Sequence, residues 1–525
     1  MHWVDQAAEK IKDRADSHVV ASGTSISGHL HIGHAPDVFI ADAVKDSLRE
    51  QGASAKSLWF TDDLDPLRRV PHPLDEEEYR EYLGMPYVNI PSPDGKSANF
   101  VDFFRTPFEE SLSEFGVNPE VCSGAEIYES GQMTPYIRKS LEKADKIIEI
   151  LNKFRSNPLD DNWLPYDPIC SSCGKIATTR AYDWDDDYVY YVCEGADYVD
   201  GCGHEGKADY KRGEGKLTWR VEWPARWKLL GITCEPFGKD HAVDGGSYDT
   251  GELISKEIFN YKPPEPIPYE WISQRGEPMS SSKGRVFTLS QWLDIADPEL
   301  LRYFIFRSKA LKAKDFDPSF PLLELYKEYR QLEEVYFGKE EAREEEKEQL
   351  DRIYELSQSN SVPDHFPQRI PFKLAAVLVQ ISRDIDHALK LLRKKKVLKD
   401  PDGWEIELAK DRLNRAGNWV ENYAPDSVRI EILERVDEDI KEDLSPEQKK
   451  CLKTLADEIV RKDYRPVELH NRVYEVARSN DLKPVKLFHA IYLVLLGQKS
   501  GPRVGNFLTA LEDDFIAGRF SEAAE

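Results

Sequence analysis

The chain has 525 residues, and its 71 basic and 96 acidic side chains give a formal net charge of −25. This length predicts three or four domains, since one domain usually takes roughly 100–200 residues. No run of about 18 apolar residues occurs, so no membrane partner is expected. Taken alone, the acidic balance argues mildly against a nucleic-acid partner, but it leaves room for a local basic groove and so decides little between tRNA and DNA. No DNA partner is expected.

The N-terminal segment and the cysteine content both indicate a reducing cellular compartment. Seven cysteines in a chain of this length do not form a disulfide scaffold. The segment MHWVDQAAEKIKDRADSH is charged and lacks the apolar centre of a signal peptide. We therefore expect a protein of the reducing cytoplasm.

The first predicted elements form a βαβ unit. Residues 18–22 are predicted to form a buried strand, and helical spacing of apolar residues runs from Pro36 to about Glu50. The segment KSLWF, residues 56–60, is predicted to be the second strand. This order predicts a parallel sheet with a right-handed crossover, and ligands of such sheets bind at the carboxyl ends of the strands.

The loop between that strand and helix carries two histidines. His31 and His34 stand three residues apart, so both project from one side of the first helical turn. Gly33 removes a side chain between them, and a helix N-terminus attracts phosphate. Because imidazoles hydrogen-bond phosphoryl oxygens, this turn predicts a phosphate site.

A cysteine-rich module is predicted over residues 160–212. Cys170 and Cys173 form a tight knuckle, and Cys193 and Cys202 follow. Four thiolates around two turns predict a closed, structural Zn²⁺ site, with His204 as a substitute for Cys202. The alternative is a set of unligated thiols.

Residues 213–300 return to a mixed α/β pattern with two segments of interest. Trp219, Trp223 and Trp227 cluster before the glycine-rich segment 237–251. Gly245 and Gly246 would let the backbone approach a base or a ribose, and an acidic side chain there, Asp240 or Asp244, could accept ribose hydroxyls. The alternatives are core packing for the tryptophans and a plain multi-turn loop for segment 237–251.

A serine-rich loop follows near the end of the α/β half. It consists of Met279, Ser280, Ser281, Ser282 and Lys283. A flexible loop with one lysine suits a clamp on the β- and γ-phosphates of a nucleotide, where charge rises in the transition state. The alternative is a simple serine-rich turn.

After about residue 300 the pattern is mainly helical. The charged run 339–348 is predicted to be an exposed helix or linker. Basic clusters occur at 390–400 and 461–478, for which a solvated helix face is the ordinary interpretation.

These motifs resemble those of a known family. HIGH (31–34) resembles the first signature of the class I aminoacyl-tRNA synthetases, and PMSSSKG (278–284) resembles their second, Lys-Met-Ser-Lys-Ser. The segments ASGTSISGHLHIGH, WFTDDLDPLR and WRVEWPARWKLLGITCEPFGKDHAVDGGSYDTG resemble the archaeal-type lysyl group over nearly the whole chain. The chain departs from the second signature, because Pro278 and Ser281 replace its two lysines.

The resemblance implies a fold and its domains. It implies a Rossmann-type parallel α/β catalytic domain over residues 1–310, with the zinc-ribbon-like insertion 160–212. A helical stem over 311–364 and a helical anticodon-binding domain over 365–525 would follow.

The resemblance also implies a two-step reaction. L-lysine and ATP with Mg²⁺ would form lysyl-adenylate, and the lysyl group would pass to the 3′ end of tRNA(Lys). His31, His34 and Lys283 would be catalytic. ATP would contact these residues together with Gly33, the serine-rich loop, Asp240, Asp244, Gly245 and Gly246.

A lysine pocket needs a carboxylate for the ε-ammonium and an apolar wall for the carbon stem. Asp62 or Asp63 would supply the carboxylate, unless both serve only to form the turn. By resemblance Gly23, Ser25, Trp219 and His241 would complete the pocket. Two alternatives stay open: a synthetase of glutamyl or arginyl type, and a tRNA-binding paralogue without catalysis.

Overall fold

The computed structural model describes residues 1–281 and 284–525. They form two compact units, each assembled from several segments of the chain. The first unit comprises Met1–Gln291, Leu301–Phe316 and Arg343–Ser361; the second comprises Trp292–Leu300, Asp317–Ala342 and Val362–Glu525. Residues of the predicted stem therefore occur in both units, and the three-domain division stays a prediction.

Strands occur in the first unit, whereas the described part of the second unit is built from helices. In chain order the strands are β1 (Ser17–Thr24), β2 (Ser54–Thr61), β3 (Glu120–Ser123), β4 (Tyr166–Pro168), β5 (Thr179–Trp184), β6 (Val189–Cys193), β7 (Gly195–Ala196), β8 (Val199–Asp200), β9 (Glu205–Ala208), β10 (Gly215–Leu217), β11 (Ile232–Gly238), β12 (Glu265–Tyr269), β13 (Ile272–Gln274), β14 (Glu277–Pro278) and β15 (Lys314–Phe316).

The α-helices follow the same numbering by chain order. They are α1 (Trp3–Ile11), α2 (Ala35–Glu50), α3 (Glu76–Tyr79), α4 (Phe100–Leu112), α5 (Gly124–Glu129), α6 (Thr134–Glu142), α7 (Ala144–Asn152), α8 (Trp219–Leu230), α9 (Ser247–Glu257), α10 (Leu289–Ile295), α11 (Pro298–Phe306), α12 (Phe320–Tyr336), α13 (Glu344–Ser357), α14 (Phe372–Ile381), α15 (Ile385–Lys394), α16 (Gly403–Asn422), α17 (Glu438–Asp443), α18 (Pro446–Ile459), α19 (Pro466–Ser479), α20 (Pro484–Leu496), α21 (Val504–Thr509) and α22 (Asp513–Ala524). None of the described helices combines the length and apolarity needed to cross a membrane.

A five-stranded parallel sheet organises the first unit, with strand order β12-β11-β1-β2-β3. The last residues of neighbouring strands pair, Thr24 with Thr61 and Thr61 with Ser123. The carboxyl ends of all five strands therefore meet at one edge. Strand order reverses beside β1, which has β2 on one side and β11 on the other, and ligands of such sheets bind in this crevice.

The predicted βαβ unit is confirmed as β1, α2 and β2. Strand β1 is buried on both faces over most of its length, as a parallel strand covered by helices should be. Pro36 occupies the first turn of α2, where its missing N–H costs nothing, and Gly52 follows the helix with φ of +87°. These local signals place the 25–34 loop at the carboxyl edge of the sheet.

The cysteine-rich segment forms a small β module. Strands β5, β6 and β9 form an antiparallel sheet, and β7 with β8 forms a short hairpin beside it. Helices α14–α22 then form the greater part of the second unit, where α18 packs against α20 and α22. The predicted class is therefore confirmed: a parallel α/β sheet with a cysteine cluster, followed by a helical region.

Candidate active site

The histidine turn lies directly before α2, at the carboxyl edge of the sheet. The ring of His31 is buried and that of His34 is partly buried, and their centroids are 4.1 Å apart. The Nδ1 of His34 accepts the His31 backbone N–H at 3.2 Å, and the Nδ1 of His31 accepts the Gly33 N–H at 3.1 Å. The two rings are therefore oriented by the backbone of the turn itself.

These contacts define the protonation of both rings. Burial, together with the neighbouring His34, lowers the pKa of His31 to about 2; burial lowers the pKa of His34 to about 4. Both rings are neutral near pH 7. Since each Nδ1 accepts a hydrogen bond, each ring carries its proton on Nε2 and presents an N–H donor there.

The serine-rich loop meets this turn. The hydroxyl of Ser281 donates to the carbonyl oxygen of His29 at 2.8 Å. A Cβ added to Gly33 would lie 2.8 Å from the His31 ring and 3.3 Å from the Met279 methyl carbon. Glycine is thus the residue that lets the loop and the turn approach. Ser280 pairs with Arg285 across the loop, whereas Ser282 and Lys283 lie outside the described residues.

The structure gives Asp62 and Asp63 protein partners that the sequence did not reveal. A buried arginine, Arg226 on α8, donates to Asp62 at 2.5 Å. Asp63 accepts the Ser123 hydroxyl at 2.6 Å and the Ala125 N–H at 2.7 Å. The charge of Asp62 is compensated within the protein, and Asp63 ties β2 to the start of α5. Neither carboxylate is left as the obvious partner of a ligand ammonium.

The other residues predicted to bind the substrate lysine surround this ion pair. A Cβ on Gly23 would lie 3.6 Å from the Arg226 guanidinium and 3.9 Å from the Asp62 carboxylate. The guanidinium also lies over the Trp219 ring, with its carbon 5.4 Å from the ring centroid. Trp219 and His241 have centroids 5.9 Å apart. Gly23, Asp62, Trp219 and His241 are therefore brought together.

Ser25 belongs to a neighbouring polar network. Its hydroxyl donates to Asp65 at 3.2 Å, and Asp65 also accepts the buried ammonium of Lys216 at 2.8 Å. Lys216 forms a second ion pair, 2.8 Å long, with buried Glu222. Ser25 thus belongs to a hydrogen-bonded polar network beside the ends of the strands.

Two of the three tryptophans belong to the core. Trp223 and Trp227 are buried, and their indole N–H groups donate to the two carboxylate oxygens of Glu235, at 3.0 and 2.6 Å. Trp219 stacks on Trp223 with centroids 5.3 Å apart and keeps partial exposure. The core interpretation therefore applies to Trp223 and Trp227, and Trp219 forms the exposed end of the aromatic row.

A further buried carboxylate at the site was not predicted from the sequence. Asp37, in the first turn of α2, is buried and accepts the hydroxyl of Tyr269 at 2.6 Å. Burial raises its pKa to about 8, against the Tyr269 hydrogen bond, which lowers it. No described cation pairs with Asp37. The two residues lie on α2 and at the carboxyl end of β12, more than two hundred positions apart, so periodicity alone could not join them.

The glycine-rich segment follows β11 at the same edge. Residues Lys239–Ala242 form a 3₁₀ turn in which Asp240 is exposed, and Asp244 is exposed beyond it. Gly245 has φ of +70° and donates its N–H to Asp249 at 2.9 Å. A Cβ on Gly246 would lie 2.6 Å from the carbonyl oxygens of His241 and Val243. Both glycines are needed for this tight backbone path.

The four predicted cysteines converge in the β module. Their Sγ atoms all lie within 4.8 Å of one another, with Cys170 and Cys202 3.6 Å apart and Cys173 and Cys193 3.7 Å apart. Ligands about 2.3 Å from tetrahedral Zn²⁺ lie about 3.8 Å from one another, so the set fits this metal. His204 is outside the cluster; its Nε2 lies 3.1 Å from the Ser171 hydroxyl.

Comparisons with known proteins identify the family. The sequence profile described as "tRNA synthetases class I (K)" matches residues 1–360. The chain is 43% identical to a "Lysine--tRNA ligase" of Methanosphaera stadtmanae over 99% of both chains. Proteins with the same description from Methanocaldococcus jannaschii and Archaeoglobus fulgidus are each 39% identical, over 99% and 100% of both chains. The chain therefore belongs to the class I (K) tRNA synthetase family.

Proposed function

We propose that the chain is a lysine–tRNA ligase. In the first step a lysine carboxylate oxygen forms a bond to the α-phosphorus of ATP, and the bond to the β-phosphate oxygen breaks to release pyrophosphate. In the second step a terminal ribose hydroxyl of tRNA(Lys) attacks the activated carbonyl, and AMP leaves. The full-length relatives named above, all described by this activity, support the proposal.

One contact in the structure supports the proposed catalytic role of the histidine turn and the serine-rich loop. The serine-rich loop contacts the histidine turn through Ser281 and Met279, at the carboxyl edge of a parallel sheet. Two motifs separated by most of the α/β half thus border one crevice. This juxtaposition is what closure over a single triphosphate requires.

The two histidines would stabilise charge on the phosphates. Each neutral ring offers its Nε2–H, so both can donate to phosphoryl oxygens without a change of protonation. The N-terminus of α2, which begins at Ala35, adds its dipole to the same place. Such donors act most strongly where negative charge grows during attack on the α-phosphate. Lys283 would join them on the β- and γ-phosphates, as the second signature implies.

Mg²⁺ enters this proposal only as the counter-ion that neutralises the bound triphosphate. Among the described residues no metal-spaced carboxylate cluster lies at the histidine turn. We therefore assign the ion no protein ligand and no step. Catalysis by this chain rests on positioning and on the histidine and lysine donors.

For the substrate ammonium, Asp37 is a better partner than Asp62 or Asp63. Asp62 already compensates Arg226, and Asp63 accepts hydrogen bonds from β3 and α5. Asp37 is a buried carboxylate without a described cation, so a lysine ammonium would satisfy it. Tyr269 would orient it.

The remaining residues would hold the rest of the two substrates. Trp219 and His241 would wall the carbon stem of lysine, and Gly23 and Ser25 would border its α-amino and carboxylate groups. Asp240, Asp244, Gly245 and Gly246 would line the adenosine site, where an exposed carboxylate can accept ribose hydroxyls.

The cysteine cluster would hold structural Zn²⁺. All four positions of the tetrahedron are filled by protein sulfurs, which leaves none open for a substrate. The Cys202 N–H lies 3.4 Å from the Cys193 sulfur and would support its thiolate form. When bound, the ion would tie the two halves of the module together.

The experiment that tests the function is amino-acid-dependent exchange of label between pyrophosphate and ATP, with total tRNA present. We expect exchange with lysine and background rates with glutamate and arginine. Exchange with glutamate or arginine would identify a synthetase of another specificity. Tight tRNA binding without any exchange would identify a paralogue that has lost catalysis.

We place the reaction in the cytoplasm and the anticodon contacts in the helical half.

A further inference from the structure

A basic loop in the second unit has no part in the site described above. We use this name for residues 393–401, which comprise the last two residues of α15 and most of the segment that leads to α16. A cavity of about 520 Å³ is lined by Arg393, Lys396, Leu398, Lys399, Asp400 and Pro401. Three cations and one carboxylate thus surround this cavity, in a chain whose net charge is −25.

The cations of the basic loop are unpaired, unlike Lys394 and Lys395, which lie between the first two of them. Arg393, Lys396 and Lys399 are exposed, and within the described ranges no side chain forms an ion pair or hydrogen bond with their charged groups. The adjacent Lys394 and Lys395 both pair with Asp513. Three positive charges therefore stay available around the cavity, while the charges between them are compensated.

The backbone of the basic loop is fixed by hydrogen bonds. Lys396, with φ of 54°, follows the C-cap of α15 in the left-handed conformation common after a helix, and the Val397 N–H there donates to the Leu392 carbonyl. The Gln368 side chain accepts the Lys399 N–H at 2.8 Å and donates to the Lys399 carbonyl at 3.0 Å. The fold therefore sets the backbone positions of Lys396 and Lys399.

We propose that the basic loop binds phosphate groups of the tRNA backbone, an inference that rests on the proposed function. An acidic protein that takes a polyanion as substrate needs local surfaces of unpaired cations. The three side chains, each three residues after the last, suit successive phosphates of one strand. A single small anion would need convergent buried donors, and none of the three cations is buried.

The test uses a triple variant that removes the charges and keeps polar side chains: Arg393→Gln, Lys396→Gln and Lys399→Gln. The dissociation constant for tRNA is measured by fluorescence anisotropy across a salt series. Each phosphate contact contributes roughly 0.7–0.9 to the slope of log affinity against log salt. We expect the slope to fall by about 2 and affinity near physiological salt to fall at least about tenfold.

A matched control removes three lysines of the same unit that do have ion-pair partners, Lys373 being exposed and Lys410 and Lys441 partly exposed: Lys373→Gln, Lys410→Gln and Lys441→Gln. The two variants change net charge equally, so long-range electrostatics are the same in both. We expect the control to keep the wild-type slope. Equal losses of tRNA affinity in the two variants would overturn the proposal.

Two further measurements complete the test. If inorganic phosphate binds at low millimolar concentration, and the triple variant loses that binding but keeps its tRNA affinity, the loop is a small-anion site and the proposal is wrong. Aminoacylation is followed on the same samples, with kcat at saturating tRNA expected to stay within about twofold of wild type. A wild-type chain that fails to charge lysine, beside a triple variant that loses tRNA affinity, would overturn the proposed function and support the RNA site.

Discussion

At the residue scale, two backbone amides determine how the histidine turn can act. The N–H groups of His31 and Gly33 donate to ring nitrogens, and this leaves the Nε2–H of each ring as a donor. Because burial keeps both pKa values far below neutrality, neither ring carries charge in the resting protein. We therefore expect the rings to act as fixed hydrogen-bond donors rather than as acids.

The first prediction concerns His34→Ala. It removes one donor from the growing phosphate charge, so the rate of adenylate formation should fall by about 10²–10³. Single-turnover kinetics with saturating ATP and lysine measure this rate. Lysine affinity, measured by calorimetry, should change less than about threefold. An unchanged single-turnover rate would exclude the phosphate role.

A second prediction tests Asp37 as the ammonium partner. Asp37→Asn should raise the KM for lysine by about 10²-fold, or roughly 3 kcal/mol, since a buried charge pair loses one member. Asp42→Asn is the matched control, because Asp42 is a buried carboxylate of the same helix that pairs with Lys45 at 2.6 Å. A KM for lysine that shifts equally in both variants would remove Asp37 from the pocket.

The raised pKa of Asp37 also predicts a pH dependence. In the folded protein Asp37 keeps its proton up to about pH 8, whereas the unfolded chain releases it near pH 4. This group therefore lowers the free energy of unfolding as pH rises between those values. Lysine binding needs the carboxylate, so kcat/KM for lysine should rise toward pH 8 and then level off. In Asp37→Asn that rise should disappear; its persistence would point to another group.

At the scale of elements, the site depends on two loops, the histidine turn that follows β1 and the serine-rich loop that follows β14. The serine-rich loop approaches the histidine turn because Gly33 has no side chain and because Ser281 donates to the His29 carbonyl. Strand β14 belongs to a separate three-stranded sheet, so the parallel sheet positions only the histidine turn. The contact therefore depends on Gly33 and on the Ser281 hydrogen bond.

The third prediction follows from this contact. Gly33→Ala places a methyl group against the His31 ring and Met279, so the turn or the loop must move. Because small displacements of catalytic groups cost up to about 10²-fold, kcat/KM for ATP should fall by that order while the melting temperature stays close to wild type. Ser281→Ala, which loses one hydrogen bond, should cost only a few-fold. Equal, small effects of both substitutions would mean that the loop does not act at the turn.

A fourth prediction separates the two candidates for the last zinc ligand. Cys202→Ser should lower the zinc content of the purified protein below one ion per chain, because Cys202 lies in the sulfur cluster. His204→Ala should retain a full equivalent, since that imidazole contacts Ser171 instead. Metal analysis after gel filtration measures both. Loss of zinc only in His204→Ala would reverse the assignment.

At the scale of the whole molecule, sequence patterns predicted the local features but not the side-chain contacts between residues that are far apart in the chain. The β1–α2–β2 unit, the histidine turn and the cysteine module were predictable because each depends on neighbouring residues. The partner of Asp62 was not, because Arg226 comes from α8, far along the chain. Asp37 and Tyr269 escaped for the same reason, and no periodicity encodes such a contact.

Charge distribution also belongs to this scale. The net charge of −25 argued against nucleic acid when taken as a sum. The ion pairs of the structure show why the sum misleads, since Lys394 and Lys395 are compensated by Asp513, whereas Arg393, Lys396 and Lys399 have no ion-pair partner among the described residues. Only coordinates can distinguish the paired cations from the unpaired ones.

Aminoacylation of total tRNA, assayed separately with each proteinogenic amino acid, tests the proposed activity. We expect the purified chain, with ATP and Mg²⁺, to attach lysine to tRNA(Lys) and no other amino acid. We also expect His34→Ala to abolish most of that activity. Charging with a different amino acid, or none by a chain that still binds tRNA tightly, would contradict the proposal.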